Sequence, residues 1–240
     1  MINLDLEYNK LAKYYDKLYN KKDYKKESKY LLLEIISKNK KSSGKELLDV
    51  GCGTGNHISY FKKYNYTGVD ISKNMLSLAR KKYLNIKFYK KDMADFKFNN
   101  KYDIITCLFN SITYILTKKK LEKTLINFYN HLKIGGIVII ESSIIKELLP
   151  SFKVIRSYEN KDILIKRKIT SKSSGIYLNL KTEYSIYYKN NYKKKIYNYN
   201  SKLRKYNPNY FIDVMKKIGF KVRKKRNKAN GYDLFIGIKQ

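Results

Sequence analysis

The spacing of apolar residues changes along the chain, and each change marks an element. Between residues 7 and 19, Leu11, Tyr15 and Leu18 share one helical face; over 29–37, Leu31, Leu32, Ile35 and Ile36 do the same. The pattern then shortens. "ELLDV" (46–50) reads as a buried strand ending in a glycine turn, and a helix is expected from Asn56 to Tyr64. "YTGVD" (66–70) is a second strand. Ser72 is placed to cap a helix on which Met75, Ala79 and Tyr83 recur every four residues. "IKFYKKD" and "YDIITCLF" supply strands three and four. Leu121, Leu125, Phe128 and Leu132 stripe a helix over 118–132, and "GGIVIIE" is strand five.

Strands alternating with helices imply βαβ units and a mainly parallel sheet, and right-handed crossovers leave a doubly wound α/β sandwich as the economical topology. After Pro150 the helical period disappears. From 153 to 206 only β-favouring runs occur, among them "KVIRSY", "DILIKRKI" and "GIYLNLKTEYSIYY", with "SKSSG" and "KNNYK" as turns between the later ones. We expect an antiparallel insertion packed over one edge of the sheet. Helical spacing returns with Asn207 as N-cap and Pro208 in the first turn. Phe211, Val214, Met215 and Ile218 then face inward, and Gly219 stops the helix. "FKVRKK" and "YDLFIGIK" complete the chain as a hairpin. The expected organisation is a helical cap over 1–45, a core over 46–150 and 207–240, and an insertion over 151–206 on the substrate side.

Composition narrows the classes of function. Hydrophobic residues at 43% and aromatics at 15% support a folded core despite abundant charge. Two cysteines, Cys52 and Cys107, build no disulfide framework, and with only two histidines no zinc spacing exists, so no metal is expected. The start of the sequence lacks a basic segment followed by an apolar one, and no apolar run approaches a membrane span. A soluble cytoplasmic protein is expected. The net charge of +33 points toward polyanions, but Lys is scattered alongside abundant Asn, Ile and Tyr, and the densest basic run is confined to 216–228. Solvated lysine faces in a composition-biased chain account for most of it, and a phosphorylated or nucleotide-linked substrate is compatible with it.

The glycine turn carries the chemistry. Gly51, Gly53 and Gly55 depart from the dinucleotide spacing, because the third glycine falls one residue early and Asn56 takes its place. The turn also lacks the lysine that a triphosphate-binding loop requires. A nucleoside without a pyrophosphate fits better: tight glycines let the backbone approach an amino-acid moiety and ribose. Asp70, fifteen residues after Gly55, is placed to accept both ribose hydroxyls. Asp92 in "KKDMADF" would face the adenine edge, with Met93 as an apolar wall.

"LLDVGCGTG", "GVDIS", "KKDMADF" and "LKIGGIVII", in this order over 46–141, resemble the successive motifs of class I S-adenosyl-L-methionine-dependent methyltransferases. "YYDKLYNKKDYKKES", "CGTGNH", "DMADF" and "TCLFNSITYI" are more particularly similar to the N-methyltransferases that dimethylate amino groups of nucleotide-linked deoxysugars in macrolide biosynthesis. The resemblance implies a Rossmann-like, seven-stranded methyltransferase fold with an antiparallel insertion. It implies cofactor contacts from Gly51, Cys52, Gly53, Gly55, Asp70, Ile71, Asp92 and Met93. Leu108 and Asn110 would lie near the sulfonium, and Tyr15 would cover the cofactor. Asp49 is open between ending strand one and touching the methionine amine. His57 matches a histidine of the sugar enzymes but also reads as a first-turn polar residue. Cys52 reads as a small space-filler rather than a nucleophile. Met75 reads as core that also reaches adenine.

Acceptor chemistry is less constrained. Enzymes that methylate adenine or cytosine amino groups carry an Asn/Asp-Pro-Pro-aromatic motif after strand four, and the only prolines here are Pro150 and Pro208. Cytosine-C5 enzymes need a cysteine after proline, whereas Cys107 falls inside a strand. Tyr114 stands where the sugar enzymes present a histidine and is the first candidate for orienting the acceptor. Tyr8 is the second, and simple packing competes for both. Three readings follow. The first is methyl transfer to a small molecule, an amine above all, with an aminosugar nucleotide as the narrower case. The second is an RNA or protein methyltransferase, and the third a non-catalytic binding protein of the same fold. No membrane association is expected, nucleic acid ranks behind a small-molecule acceptor, and a homodimer is left open.

Overall fold

The computed structural model describes residues 6–142 and 151–240, so the boundary expected at Pro150 lies outside the described residues. In chain order, an irregular helical stretch ends in helix α1 (Tyr15–Leu18), followed by α2 (Tyr24–Tyr30) and α3 (Ser37–Asn39). Strands β1 (Glu46–Val50) and β2 (Asn65–Asp70) precede helix α4 (Lys73–Lys82), β3 (Lys87–Lys90) and β4 (Tyr102–Cys107). Helix α5 (Lys118–His131) leads into β5 (Leu132–Ser142). Strands β6 (Lys153–Glu159), β7 (Ile163–Ser174), β8 (Tyr177–Tyr188) and β9 (Lys193–Arg204) come next. Helix α6 (Pro208–Ile218), β10 (Phe220–Arg226) and β11 (Asp233–Lys239) end the chain.

The chain divides into two compact units, one formed by 23–144 with 206–240 and the other by 1–22 with 145–205. The division runs through the stretch read from sequence as one cap over 1–45: residues 23–45 join the larger unit and 1–22 the smaller one.

The larger unit is a doubly wound α/β sheet of seven strands in the order β10-β11-β5-β4-β1-β2-β3. The pairs β1–β2, β1–β4, β2–β3 and β4–β5 are parallel, and the β10–β11 hairpin adds antiparallel to β5. β1 and β4 run as nearly continuous buried stretches because both faces of the sheet are covered. On one face Leu48, Ile105, Val138 and Phe235 pack with Leu121, Leu125 and Phe128 of α5 and Phe211, Val214 and Met215 of α6. On the other, Leu47, Ile104 and Ile139 pack with Leu31, Ile35, Ile36, Leu76 and Ala79.

Sequence signals at helix starts operate as expected. The Ser72 hydroxyl accepts from Met75 N, and the Asn207 side chain accepts from Asn209 N and Tyr210 N. In the larger unit two helices differ from expectation. After the glycine turn only a single 3₁₀ turn, Ile58–Tyr60, forms in place of the helix expected over 56–64. His57, Ile58, Tyr60 and Phe61 are β-branched or aromatic residues that lose side-chain freedom in a helix, and the link to β2 is too short to repay nucleation. Between α2 and α3, Leu31–Ile36 is a π turn, which brings Leu31, Ile35 and Ile36 to the buried face and leaves Leu33 51% exposed.

The smaller unit carries the four-stranded antiparallel sheet β6-β7-β8-β9. Gly175, at φ +55°, turns β7 into β8, while Asn160 Oδ1 accepts from Asp162 N and Ile163 N at the β6–β7 turn. Leu178, Leu180, Thr182, Tyr184 and Ile186 alternate inward along β8. In the same unit, buried Arg167 donates from Nη2 to Tyr19 Oη at 2.7 Å, and the Tyr14 and Tyr188 hydroxyls pair at 2.7 Å. The helix expected over 7–19 is here broken into a π turn (Leu6–Lys10), a 3₁₀ turn (Ala12–Tyr14) and α1. Tyrosines at 14, 15 and 19 crowd the strict period, and their hydroxyls and rings take tertiary partners instead. Among the described residues no helix is long and apolar enough to cross a membrane.

Phe211 is fully buried, with ring centroids 4.6 Å from Phe235 and 6.2 Å from Tyr206. Phe211→Ala is expected to lower stability by about 3–5 kcal/mol, read as a fall in the urea unfolding midpoint.

Candidate cofactor site at the carboxyl ends of the strands

Neighbouring β1 and β4 send their connections to opposite faces of the sheet, which opens a crevice beyond their carboxyl ends. The turn after β1 lies in this crevice. Gly51, Gly53 and Gly55 have φ of +76°, +56° and +76°. A Cβ on Gly51 would stand 2.6 Å from Ser111 Oγ in the turn after β4, so glycine is what lets the two turns approach. Around Gly53 the nearest neighbour of such a Cβ is Met75 Cε at 3.4 Å, which leaves the backbone there accessible on its other side. Met75 is buried beneath the turn, as core.

Two carboxylates organise this edge from below. Asp49 is buried; its Oδ1 accepts from the Thr106 hydroxyl on β4 at 2.7 Å and its Oδ2 from the Tyr66 hydroxyl on β2. The side chain ties three adjacent strands together. Burial pushes its carboxyl above the usual aspartate range, opposed by His57 and by the two hydroxyls. Asp70, at the tip of β2, accepts from Gly53 N through Oδ2 and from Ser72 N through Oδ1, each at 2.8 Å. Burial also raises Asp70, against the pull of those backbone donors, and Asp49 adds to the rise. The backbone N–H of Ile71 also pulls Asp70 down, and an ionised carboxylate, with about four acceptor sites, still has room for a ligand hydroxyl.

The turn after β4 is the other wall. Phe109 and Asn110 both adopt left-handed backbone conformations, at φ +53° and +64°. For Phe109 this costs about 1–2 kcal/mol, whereas asparagine tolerates the region. Ser111 Oγ donates to Leu108 O at 2.9 Å and Thr113 Oγ1 to Asn110 O at 2.7 Å, closing a 3₁₀ turn over Ser111–Tyr114. Leu108 is buried and Tyr114 half-buried.

Asp49, the three glycines, Cys52, Asp70, Met75, Leu108 and Asn110 thus belong to the connected carboxyl edge of β1, β2 and β4. Ile71 follows Asp70 directly and is 49% exposed. Asp92 is half-buried and already engaged: Oδ1 accepts from Ala94 N at 2.9 Å and Oδ2 from Lys120 Nζ at 2.6 Å. Met93 is half-buried, and its carbonyl accepts from Asn127 Nδ2. His57 lies 3.4 Å from Glu27 Oε2 and stacks edge-on with Tyr24, so it packs against α2. Cys52 is buried, and its Sγ would stand 2.9 Å from a Cβ on Gly68, the contact of a space-filler. Burial raises both thiols, Cys52 and Cys107, well away from the thiolate form. Tyr8 and Tyr15 belong to the smaller unit, where their ring centroids are 6.4 Å apart.

Sequence reading missed Glu141, Glu27, Asn227 and Asn230. Glu141 ends β5 and is 2% exposed. Its Oε2 accepts from Phe109 N at 2.9 Å, and its Oε1 accepts from Asn227 Nδ2 at 2.8 Å and Asn230 Nδ2 at 2.7 Å. Asn230 Nδ2 also donates to Glu27 Oε1 at 3.1 Å. A signal for Glu141 was present: like Asp49 and Asp70, it is a carboxylate at the end of an apolar strand run. Among the described residues Asp49, Asp70 and Glu141 form no ion pair with Lys or Arg, despite the net charge of +33. This edge therefore favours a cationic ligand that also carries hydroxyls.

Residues 47–136, which contain the glycine turn, Asp70 and the turn after β4, match the family model described as a methyltransferase domain. That match covers residues 47–136 of the 240 in the chain. The chain is 34% identical over 122 residues to the dTDP-3-amino-3,4,6-trideoxy-alpha-D-glucopyranose N,N-dimethyltransferase of Streptomyces venezuelae, covering 50% of this chain and 51% of that protein. The chain thus spans about half the length of the curated relatives it matches. Its fold is similar to Streptomyces venezuelae DesVI, with a TM-score of 0.87 at 23% identity over 96% of this chain and 98% of that one. It is also similar to CalS10, an amino pentose methyltransferase from Micromonospora echinaspora solved with SAM bound, with a TM-score of 0.80 at 19% identity over 92% of this chain and 93% of that one. The expected Rossmann-like methyltransferase fold with an antiparallel insertion is the fold observed.

Within the larger unit the raised carboxyl of Asp49 has a pH signature. The folded state holds the proton more tightly than the unfolded chain does. Stability is therefore lost as pH rises from the ordinary aspartate range through the raised value. Asp49→Asn removes this slope. Urea unfolding at a series of pH values should show the variant gaining on wild type with rising pH across that window, then levelling off; a difference that is flat or falls would contradict the assignment.

Proposed function

We propose that this protein transfers a methyl group from S-adenosylmethionine to a small-molecule amine, with a nucleotide-linked aminosugar as the narrower acceptor class. The observation that carries the cofactor half is Asp70 locked to the glycine turn through Gly53 N, with acceptor capacity left for a ribose hydroxyl. Gly51, Gly53 and Gly55 would admit the amino-acid part, and the unpaired carboxylates at the strand ends suit its ammonium and sulfonium charges. Asp92, held by Lys120, would present its edge toward adenine beside Met93. Leu108 and Asn110 would face the sulfonium. Similarity to the Streptomyces venezuelae dimethyltransferase supports the acceptor half, and the antiparallel insertion is the element we assign to acceptor selection.

The cofactor, when bound, supplies an activated methyl group with a good leaving group. What this chain must do is align and desolvate. In favourable systems near-attack positioning contributes about 7–11 kcal/mol. The accepting amine must be neutral, which a low-dielectric pocket favours. Tyr114 is our candidate for orienting it through its hydroxyl, a positional role.

Asp70→Ala should weaken S-adenosylmethionine binding about 100-fold in calorimetry while circular dichroism stays native; unchanged affinity would remove the ribose assignment. Tyr114→Phe should lower turnover of labelled cofactor with a panel of dTDP-aminosugars more than it lowers cofactor affinity. Equal rates for variant and wild type would take Tyr114 out of the mechanism.

A further inference from the structure

The environment of Glu141 is built for one chemical form. All three of its partners are donors: the Phe109 backbone N–H on one oxygen, and the Asn227 and Asn230 side-chain amides on the other. A protonated carboxyl or a glutamine would turn a donor against one of these donors, so only the carboxylate satisfies the set. Asn227 is fully buried, and its Oδ1 also accepts from Ala229 N, which shapes the β10–β11 connection around the acid. Asn230 is held in the same way, with Oδ1 accepting from Tyr232 N and Nδ2 bridging Glu141 and Glu27. Glu27 in turn faces His57, two residues beyond the last glycine of the turn.

The Phe109 end of this network holds the costliest backbone at the site. Phe109 is the bulky residue at φ +53°, and its N–H is the group that Glu141 receives. Leu108 precedes it, and Ser111, which touches the position of Gly51, follows two residues later. A left-handed bulky residue persists only where its surroundings over-determine it. Here the over-determining contact comes from the end of β5, a strand that contributes no residue to either turn.

We propose that Glu141 is a positioning residue: as a carboxylate it holds the Phe109–Asn110 turn in its left-handed conformation, so that Leu108 and Asn110 face the amino-acid half of the cofactor. This rests on the cofactor reading given above. Asn227 and Asn230 hold the carboxylate, and the β10–β11 connection thereby shares control of the turn after β4.

The test compares two ligands that differ in that half, S-adenosylhomocysteine and adenosine, by calorimetry on the full chain. Glu141→Gln should weaken S-adenosylhomocysteine about tenfold and leave adenosine within about twofold of wild type. In the unliganded protein, amide hydrogen exchange should accelerate about tenfold in a peptide spanning Phe109 and stay unchanged in β1 and α5. Glu141→Asp, which keeps the charge and shortens the reach, should give a smaller loss on both measures and carries the test if the glutamine variant does not fold. Equal weakening of both ligands, weakening of neither, or exchange accelerated throughout the chain would overturn the proposal. If wild type binds neither ligand, the cofactor reading and the facing of Leu108 and Asn110 fall together, and exchange at Phe109 alone then decides whether Glu141 holds the turn.

Discussion

The carboxyl edge of the larger unit depends on the close approach of two turns, one leaving β1 and the other leaving β4. With no side chain on Gly51, the turn that follows it can lie against Ser111; any larger residue would force the two apart. Both turns adopt left-handed backbone conformations, with glycine carrying them after β1, and Phe109 and Asn110 carrying them after β4. Glycine makes the first inexpensive. The second is met from elsewhere in the fold by Glu141, whose Oε2 accepts from Phe109 N.

The carboxylates along this edge differ in their pairing from those in the rest of the molecule. A chain with 53 Lys and Arg against 20 Asp and Glu has abundant cations with which to pair its acids. On the surface it does so, as in Lys123–Asp95 and Lys189–Glu159. At the strand ends it uses hydroxyls, amides and backbone N–H groups instead. These neutral donors satisfy the oxygens without cancelling the charge, so Asp49, Asp70 and Glu141 leave a negative field where a ligand would enter. Under the proposed function, this arrangement would let a very basic protein hold sulfonium and ammonium groups. The second histidine, His131, has no part in this. Its Nε2 accepts from Phe98 N and its Nδ1 donates to Asn127 O, a neutral clamp that burial keeps neutral.

Elements whose determinants lie within a few residues of sequence were legible. The apolar runs of β1, β4 and β5, the stripes of α4, α5 and α6, and the caps Ser72 and Asn207 needed only local periodicity and capping chemistry. The glycine turn and Asp70 likewise lie close in sequence, within one β1–turn–β2 unit joined by Gly53 N and Asp70. The stretch 56–64 misled because its position after a glycine turn suggested a helix that its residues do not favour. The helix over 7–19 failed because its tyrosines are spent on long-range contacts such as Tyr14–Tyr188 and Tyr19–Arg167.

By itself, then, the sequence determined the alternation of strands and helices, the antiparallel character of 153–204, and the glycine turn after β1, since each depends on side chains near in sequence and on backbone geometry available to them. Only the tertiary structure decided which acids act together. The Glu141 network joins residues separated by 86 and 89 positions, and Asn230 reaches Glu27 across 203. No local period encodes such a meeting. It exists because the hairpin β10–β11 adds to β5 and carries its connection back over the ends of strands formed much earlier in the chain, where burial turns an ordinary glutamate into a fixed acceptor.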